Sequence, residues 1–262
     1  MPAATSLPVG FHVLEHRPRH GNPTAALPRV ILVHGSLDRA SSFARVVRRL
    51  DDLEVVTYDR RGYAGSRSVS PPALDLDRHV DDLLALVGTG PAVVVGHSLG
   101  GDVALGAAIE APGPVTAVGA FEPPMPWLDW WPRRGRAGLA GLDPAEYAES
   151  FFRRMVGPDS WDRLPEAFRA ARRADGPALL AELMAIRGED PPFDLGRLRV
   201  PAVFGFGSRT LEHHRRGVEA LVGLVPGAEP FEITGAAHGA HLSHPDTFAE
   251  FVRRVLALGA GA

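Results

Sequence analysis

A serine inside a glycine-rich hexapeptide is the residue of this chain best suited to act as a nucleophile. The hexapeptide Gly96–Gly101 has the sequence GHSLGG, follows the apolar run Pro91–Val95 and precedes the small-residue segment Asp102–Ala108. A G-x-S-x-G pattern between a strand and a helix is typical of a sharp turn that exposes the serine hydroxyl at the end of a sheet. The flanking glycines relieve the crowding that this turn imposes. The pattern therefore predicts a nucleophilic Ser98.

A serine hydroxyl needs a base, and a histidine-rich loop near the end of the chain offers three candidates. The segment Gly235–Pro245 contains His238, His241 and His244, and it follows the apolar run that ends at Ile233. His244 precedes a proline at the start of a helical pattern, which is typical of a helix entry. The position of the loop favours His238 as the base.

The tetrahedral intermediate of acyl transfer needs N–H donors aimed at its oxyanion. The turn at the serine supplies one of them, the backbone N–H of Leu99. We expect the second from the loop His34–Asp38, where Gly35 lets the backbone turn and Ser36 presents its N–H to the substrate. His34 is predicted to brace this loop through hydrogen bonds.

Motifs spread over nearly the whole chain resemble those of the α/β-hydrolase superfamily and occur in the same order. They are His34-Gly35, Asp59–Ser66, Gly96–Gly101, Glu122–Pro124, and the His238 loop with Pro245 and Phe248 behind it. The resemblance implies a serine nucleophile, a histidine base, a carboxylate and a lid inserted after the strand that follows the helix beginning at the Ser98 turn. It specifies the fold more closely than the substrate, because this fold hosts many chemistries. A serine in place of an aspartate at position 98 argues against dehalogenase and epoxide hydrolase chemistry.

The carboxylate that orients the histidine is absent from the loop where many members of that superfamily carry it. After the apolar run Val200–Gly205, Thr210 occupies the register position of the usual aspartate. Glu122 is the leading candidate, because some members, including haloalkane dehalogenases, take their acid from this loop. The alternatives left open are a Ser–His dyad and three other carboxylates, Glu212, Asp38 and Asp102.

The elements that must position these residues alternate along the chain between apolar runs and helical patterns, which indicates a parallel α/β sheet. The predicted strands are Arg29–His34, Glu54–Asp59, Pro91–His97, Pro114–Phe121, Val200–Gly205 and Pro230–Ile233, with an edge strand near Val9–Glu15. The predicted helices are Ala40–Leu50, Leu76–Val87, Ser98–Ile109, Glu212–Leu224 and Pro245–Leu258. We therefore predict an α/β fold with a mostly parallel, doubly wound sheet of the α/β-hydrolase type.

The alternation of predicted strands and helices stops between residues 123 and 198. No strand pattern occurs in this segment, and several amphipathic helices are predicted instead. We expect residues 123–198 to form a helical lid, and residues 1–122 and 199–262 to form the hydrolase core. Open α/β sheets bind ligands at the carboxyl ends of their strands, so a lid there would cover the site. The predicted pocket is lined by Leu37, Met125, Trp127, Trp130 and Phe152.

Composition excludes several classes of function. The net charge of −3 gives no sign of a nucleic-acid partner or an anionic membrane surface. The absence of cysteine removes disulfides, thiolate metal sites and a cysteine nucleophile, and the histidines and acidic residues show no metal-ligand spacing. We expect no metal and no cofactor. Without a signal-peptide pattern or a transmembrane run, we expect a cytoplasmic enzyme that acts on a small molecule, with a homodimer left open.

Together these features predict a serine hydrolase that cleaves a small or medium carboxylic ester or lactone through an acyl-enzyme. One alternative keeps the fold but uses it for C–C or thioester hydrolysis, or for a non-hydrolytic cyclisation or elimination in secondary metabolism. The absence of the usual aspartate fits this alternative, because a histidine base weakened by that absence suffices for an activated substrate. The other alternative is a non-catalytic ligand receptor that uses the pocket beneath the lid.

Overall fold

The computed structural model describes residues 10–19, 27–69, 72–132, 138–188 and 190–261. The strands are β1 (Val13–His16), β2 (Arg29–Val33), β3 (Val55–Tyr58), β4 (Ala92–His97), β5 (Val115–Phe121), β6 (Ala202–Gly207) and β7 (Glu229–Ile233). The helices are α1 (Ala44–Val47), α2 (Leu76–Val87), α3 (Leu99–Glu110), α4 (Pro144–Val156), α5 (Pro158–Asp162), α6 (Glu166–Ala174), α7 (Gly176–Ile186), α8 (Glu212–Leu224), α9 (Ala240–Ser243) and α10 (Pro245–Gly259).

The seven strands form one sheet in the order β1-β3-β2-β4-β5-β6-β7. Among the residues that the structure describes, the pairing of β1 with β3 is antiparallel and the other five strand pairings are parallel. The register places His97 beside Phe121, Phe121 beside Gly205, and Gly207 beside Ile233. The loops that follow β4, β5, β6 and β7 therefore leave the sheet at the same edge. The predicted fold class is confirmed.

Two of the predicted helices, α2 and α8, have the predicted bounds. The α2 helix begins where Asp75 accepts a hydrogen bond from the N–H of Arg78 and ends at Gly88, whose φ is 63°. Strand β6 begins at Ala202, two residues later than predicted, after Pro201, which has no N–H to donate to a strand ladder. Of the predicted edge strand, Val9 lies outside the described residues.

Apolar side chains alternate between the two faces of the sheet, as the pleat requires. Ile31 and Val33 face one core, which is closed by α2, α3 and α8. Val30 and Leu32 face the other core, which is closed by α1 and α10. Among the described residues, no helix is both long and apolar enough to cross a membrane.

A third apolar cluster joins the helices between β5 and β6 to the elements that carry the predicted site. Leu179 and Leu183 of α7 and Ala148 of α4 are buried against Leu37 and Leu99. Leu99 is the first residue of α3, so the inserted helices pack directly beside Ser98. The domain bounds predicted for the lid remain a prediction.

Candidate active site

The turn between β4 and α3 holds Ser98 in a conformation that L-residues rarely adopt. Its φ is 53° and its ψ is −131°, a strain of order 1–3 kcal/mol that the surroundings must hold in place. The Ser98 N–H donates to the Phe121 carbonyl at 2.8 Å, and the Ser98 carbonyl accepts from the Gly101 N–H at 2.7 Å. These bonds tie the strained residue to β5 and to the start of α3.

Three glycines let the backbone segments around Ser98 approach one another. A Cβ on Gly96 would overlap the Gly100 carbonyl, and a Cβ on Gly100 would overlap the Val33 carbonyl. A Cβ on Gly35 would lie 2.8 Å from the Cβ of Ser98. The loop after β2 is therefore packed against the serine as closely as a glycine permits.

Glu122 and His238 meet at this edge of the sheet. Glu122 directly follows β5, has a φ of 48° and is fully buried. Its Oε2 lies 2.6 Å from Nδ1 of His238, whose side chain is 18% exposed. Strands β4 and β5 are neighbours and His97 pairs with Phe121, so Ser98 and Glu122 follow adjacent strand ends.

The carboxylate of Glu122 is also held by the loop that follows β6. The N–H of Gly207 donates to Oε1 at 2.8 Å, and the hydroxyl of Thr210 donates to Oε2 at 2.8 Å. Sequence register placed Thr210 where an aspartate is usual, and the structure brings its side chain to the carboxylate on the neighbouring strand end. No local pattern in the sequence signals this contact.

The other carboxylates considered from the sequence are engaged elsewhere. Glu212 is exposed and pairs with Arg215 at 2.7 Å, and the hydrogen bond to Arg215 lowers its pKa. Asp38 lies 3.2 Å from Nε2 of His241. Asp102 is buried, and burial raises the pKa of its carboxyl well above the usual value. The structure therefore brings Glu122, and not these residues, to His238.

The loop that carries Ser36 is braced by His34, as predicted. The N–H of Arg60 donates to Nε2 of His34 at 2.8 Å, so the proton of this imidazole resides on Nδ1 and is donated to the Gly35 carbonyl at 2.8 Å. Burial, together with the charge of Arg60, lowers the pKa of His34 to about 3. His34 is therefore a neutral hydrogen-bonding residue.

The two predicted oxyanion donors lie on either side of the close contact between Gly35 and Ser98. Ser36 is partly buried and precedes Leu37, whose φ is 53°. Leu99 begins α3, where the first N–H groups of a helix have no partner within the helix. Backbone N–H groups free of helical bonds are the donors that an oxyanion requires.

Five imidazoles lie in a continuous row through the site, which we call the imidazole row: His213, His214, His238, His97 and His241. Successive ring centroids are 4.3, 4.5, 4.7 and 4.3 Å apart, and His214 stacks on His238 at an interplanar angle of 23°. Burial lowers the pKa of both His97 and His214 well below the usual value. Sequence reasoning missed the stacking of His214 on His238, because adjacent histidines at a helix start carry no signal of burial.

The five residues predicted to line a pocket fall into two groups. Leu37 and Phe152 belong to the cluster that contains Leu99. Met125, Trp127 and Trp130 pack against the core that is closed by α2, α3 and α8.

Comparison with known proteins places the chain in a family. Residues 30–251 match the profile of the alpha/beta hydrolase family. Lipase LipV of Mycobacterium tuberculosis is 30% identical over 175 residues, which cover 64% of this chain and 60% of the lipase. The pimeloyl-[acyl-carrier protein] methyl ester esterase of Chromobacterium violaceum is 28% identical over 245 residues, 84% of this chain and 91% of the esterase.

Among solved structures, the enol-lactonase from Burkholderia xenovorans LB400 superposes with a TM-score of 0.72 at 19% identity, and the match covers 94% of this chain and 96% of that one. The chain spans less than two thirds of the lipase but nearly all of the enol-lactonase. The family match extends from β2 into α10 and therefore includes every predicted catalytic residue. This protein belongs to the alpha/beta hydrolase family.

Proposed function

We propose that this protein is a serine hydrolase that cleaves a small or medium carboxylic ester or lactone through an acyl-enzyme. Ser98 is the nucleophile, His238 the general base and acid, and Glu122 the carboxylate that orients the imidazole. The observation that carries the proposal is the 2.6 Å contact of Glu122 Oε2 with His238 Nδ1, at a strand end adjacent to the one that leads into Ser98.

The contact determines which nitrogen of His238 can act as a base. Because the carboxylate of Glu122 accepts a hydrogen bond from Nδ1, Nε2 keeps the free lone pair. Nε2 takes the proton of the Ser98 hydroxyl while the Oγ–C bond to the substrate carbonyl forms. The N–H groups of Ser36 and Leu99 then stabilise the oxyanion.

Collapse of this intermediate breaks the bond between carbon and the leaving alcohol, which receives the proton from His238. Water, deprotonated by the same imidazole, attacks the acyl group and releases the acid. The hydroxyl of Ser98 regains its proton, so the cycle needs no co-reactant besides water.

The lid, residues 123–198, closes over the reacting centre in this proposal. Leu37 and Phe152 line the side of the pocket next to Leu99, and Met125, Trp127 and Trp130 line the side toward α8. The shared cluster of Leu37, Phe152 and Leu99 supports the first group. An apolar lining suits an apolar acyl or alcohol part.

The relatives support cleavage of an ester bond over the alternatives considered from sequence. The relative from Chromobacterium violaceum, one of those that match 84% of this chain, is named as a methyl ester esterase, and another relative is named as a lipase. The pairing of Glu122 with His238 also weakens the case for a non-catalytic receptor, because such a protein would have no use for an oriented imidazole.

The first experiment combines covalent labelling with substitution of the acid. A fluorophosphonate probe is expected to label the wild-type chain and not the Ser98→Ala variant. Turnover of a series of p-nitrophenyl esters and lactones is expected to fall at least about a hundredfold in Glu122→Gln, because the amide no longer holds the required tautomer.

Glu212→Gln is the matched control, since Glu212 is exposed and pairs only with Arg215 among the contacts described for it. Its turnover is expected to stay within about twofold of wild type. Near-normal turnover in Glu122→Gln, or labelling that persists in Ser98→Ala, would contradict the proposal. Activity confined to thioesters would favour the thioesterase alternative.

A further inference from the structure

One end of the imidazole row joins a carboxylate in a group that has no role in the proposed hydrolysis. The group consists of Asp38, His97 and His241, each offering one ligand atom, and these atoms lie within 4.8 Å of one another. His97 is 6% and His241 2% exposed. Two imidazoles and one carboxylate form a ligand set that zinc and similar divalent metals bind.

The tautomer of His97 leaves one of its nitrogens free. Its Nε2 lies 2.8 Å from the carbonyl of His238, and a carbonyl can only accept, so Nε2 carries the proton. Nδ1 therefore has a free lone pair, yet this nitrogen is buried and has no hydrogen-bond partner among the described residues. A histidine that donates one N–H to a backbone carbonyl and offers the other nitrogen is typical of a metal ligand.

The pair formed by Asp38 and His241 has the spacing of two ligands on one metal. Oδ2 of Asp38 lies 3.2 Å from Nε2 of His241 and also accepts a hydrogen bond from the Ser42 hydroxyl at 3.0 Å. Nδ1 of His241 has no hydrogen-bond partner within the part of the chain that the structure describes. Two ligands of a tetrahedral zinc ion, with bonds of about 2.0–2.1 Å, lie about 3.3 Å apart. Buried polar atoms without partners require an explanation, and a bound ion is one.

A second group of three side chains, Glu122, His214 and His238, is a weaker candidate. Both oxygens of Glu122 already accept hydrogen bonds, and Nδ1 of His238 is engaged with Glu122. A metal there would have to displace these bonds. In the group of Asp38, the contact between Asp38 and His241 joins two of the three candidate ligands to each other. Nδ1 of His97 and Nδ1 of His241 have no hydrogen-bond partner among the described residues.

We propose that Asp38, His97 and His241 bind one divalent transition-metal ion of the zinc class. The ion would join the loop after β2, the residue before Ser98 and the short helix α9, which follows the loop that carries His238. Asp38, whose side chain is 16% exposed, provides the route of entry. Since the chain supplies three ligands, a water molecule would complete a tetrahedral shell. The ion would restrain the segments that carry the reacting residues and would take no part in the proton transfers proposed above.

Metal-free full-length protein titrated with Co²⁺ tests the site without recourse to activity. Wild type is expected to bind one equivalent and to develop the visible absorption of a cobalt ion with nitrogen and oxygen ligands. Zn²⁺ is expected to displace the cobalt and to raise the melting temperature, because it binds only the folded state. His241→Gln and Asp38→Asn are each expected to weaken binding at least about tenfold.

His214→Gln is the matched control, because it removes a ligand of the other group and is expected to keep the cobalt spectrum. Circular dichroism and the melting temperature without metal establish that each variant is folded. If His241→Gln does not fold, the partly exposed Asp38 carries the test. Absence of the spectrum in wild type, binding unchanged in both variants, or loss of binding in His214→Gln alone would overturn the proposal.

Discussion

At the scale of the residue, one oxygen of Glu122 accepts two hydrogen bonds that come from different loops. Oε2 accepts from Nδ1 of His238 at 2.6 Å and from the hydroxyl of Thr210 at 2.8 Å. Oε1 accepts from the Gly207 N–H at 2.8 Å. The carboxylate is therefore held in one orientation, which is the condition for holding the imidazole in one orientation too.

Thr210 is accordingly expected to act as a positioning residue. Thr210→Val keeps the shape of the side chain but removes the hydroxyl, and we expect kcat to fall about tenfold with little change in KM, since one of three restraints on Glu122 is lost. Thr210→Ser keeps the hydroxyl and is expected to retain most of the activity. Steady-state kinetics on one ester measure both.

Full activity in Thr210→Val together with a loss in Thr210→Ser would indicate that the threonine methyl group, and not its hydroxyl, matters. A rise in KM alone would place Thr210 in substrate binding. Either result would contradict the role assigned to the hydrogen bond.

At the scale of the element, a buried ion pair links the inserted helix α7 to the loop that carries Ser36. Arg60 donates from Nε to the His34 carbonyl at 2.8 Å and from Nη2 to the Gly35 carbonyl at 3.0 Å. Its Nη1 donates to Glu182 of α7 at 2.9 Å, and Tyr63 donates its hydroxyl to the other oxygen of Glu182. The position of α7 is thus coupled to the loop packed against Ser98.

Glu182→Gln is expected to lower both stability and kcat. The substitution leaves the Arg60 charge buried without compensation, a loss of about 3–5 kcal/mol when one partner of a buried pair is removed. A loosened loop should also lower kcat about tenfold, because this loop carries Ser36, the proposed oxyanion donor, which must be held in place. Urea unfolding and steady-state kinetics measure the two effects.

Glu149→Gln is the control within the same inserted helices. Glu149 lies on α4, is partly exposed, and pairs with Arg153 and Arg173. Surface pairs of this kind contribute about 0–1 kcal/mol, so kcat should be unchanged and stability nearly so. Equal changes of stability and kcat in the two variants would contradict the inference that α7 is coupled to the loop carrying Ser36.

At the scale of the whole molecule, the buried neutral histidines predict acid sensitivity. The pKa of His34 is lowered to about 3 by burial and by Arg60, against 6.5 for an ordinary histidine. Between these values the unfolded chain binds a proton that the folded chain does not, so the free energy of unfolding falls as pH falls, by about 1.4 kcal/mol per pH unit for this group alone. Burial also lowers the pKa of His79 and His214 well below the usual value.

Urea unfolding at pH 7.5 and pH 5.5 should therefore show a loss of at least about 1 kcal/mol at the lower pH. Asp102 opposes this trend. Burial raises the pKa of its carboxyl, so the folded chain binds this proton more readily than the unfolded chain, and this group increases the free energy of unfolding as pH falls. The loss is expected to be larger in Asp102→Asn, where the opposing group is absent. A stability that stays constant or rises on acidification in that variant would contradict the prediction.

Most elements of the fold were predictable from the sequence, because their signals are local. Leu76–Val87 became a helix with the predicted bounds, since its apolar period and its capping residue Asp75 lie within the segment. The turn at Ser98 was predictable for the same reason, from glycines within two residues of it. Glu122 was predictable as a candidate acid only because it directly follows a strand, and four alternatives to it stayed open.

The sequence by itself determined the order of strands and helices, the strained serine and the loops that would meet at one edge of the sheet. Torsional preference and hydrophobic period are properties of neighbouring residues, so a single chain displays them. Only the tertiary structure decided that the Thr210 hydroxyl supports Glu122 and that Glu182 pairs with Arg60. It also brought Asp38 into contact with His241, although about 200 residues separate them in the sequence. These contacts depend on strand register and on how helices pack across the sheet, and no local spacing encodes either.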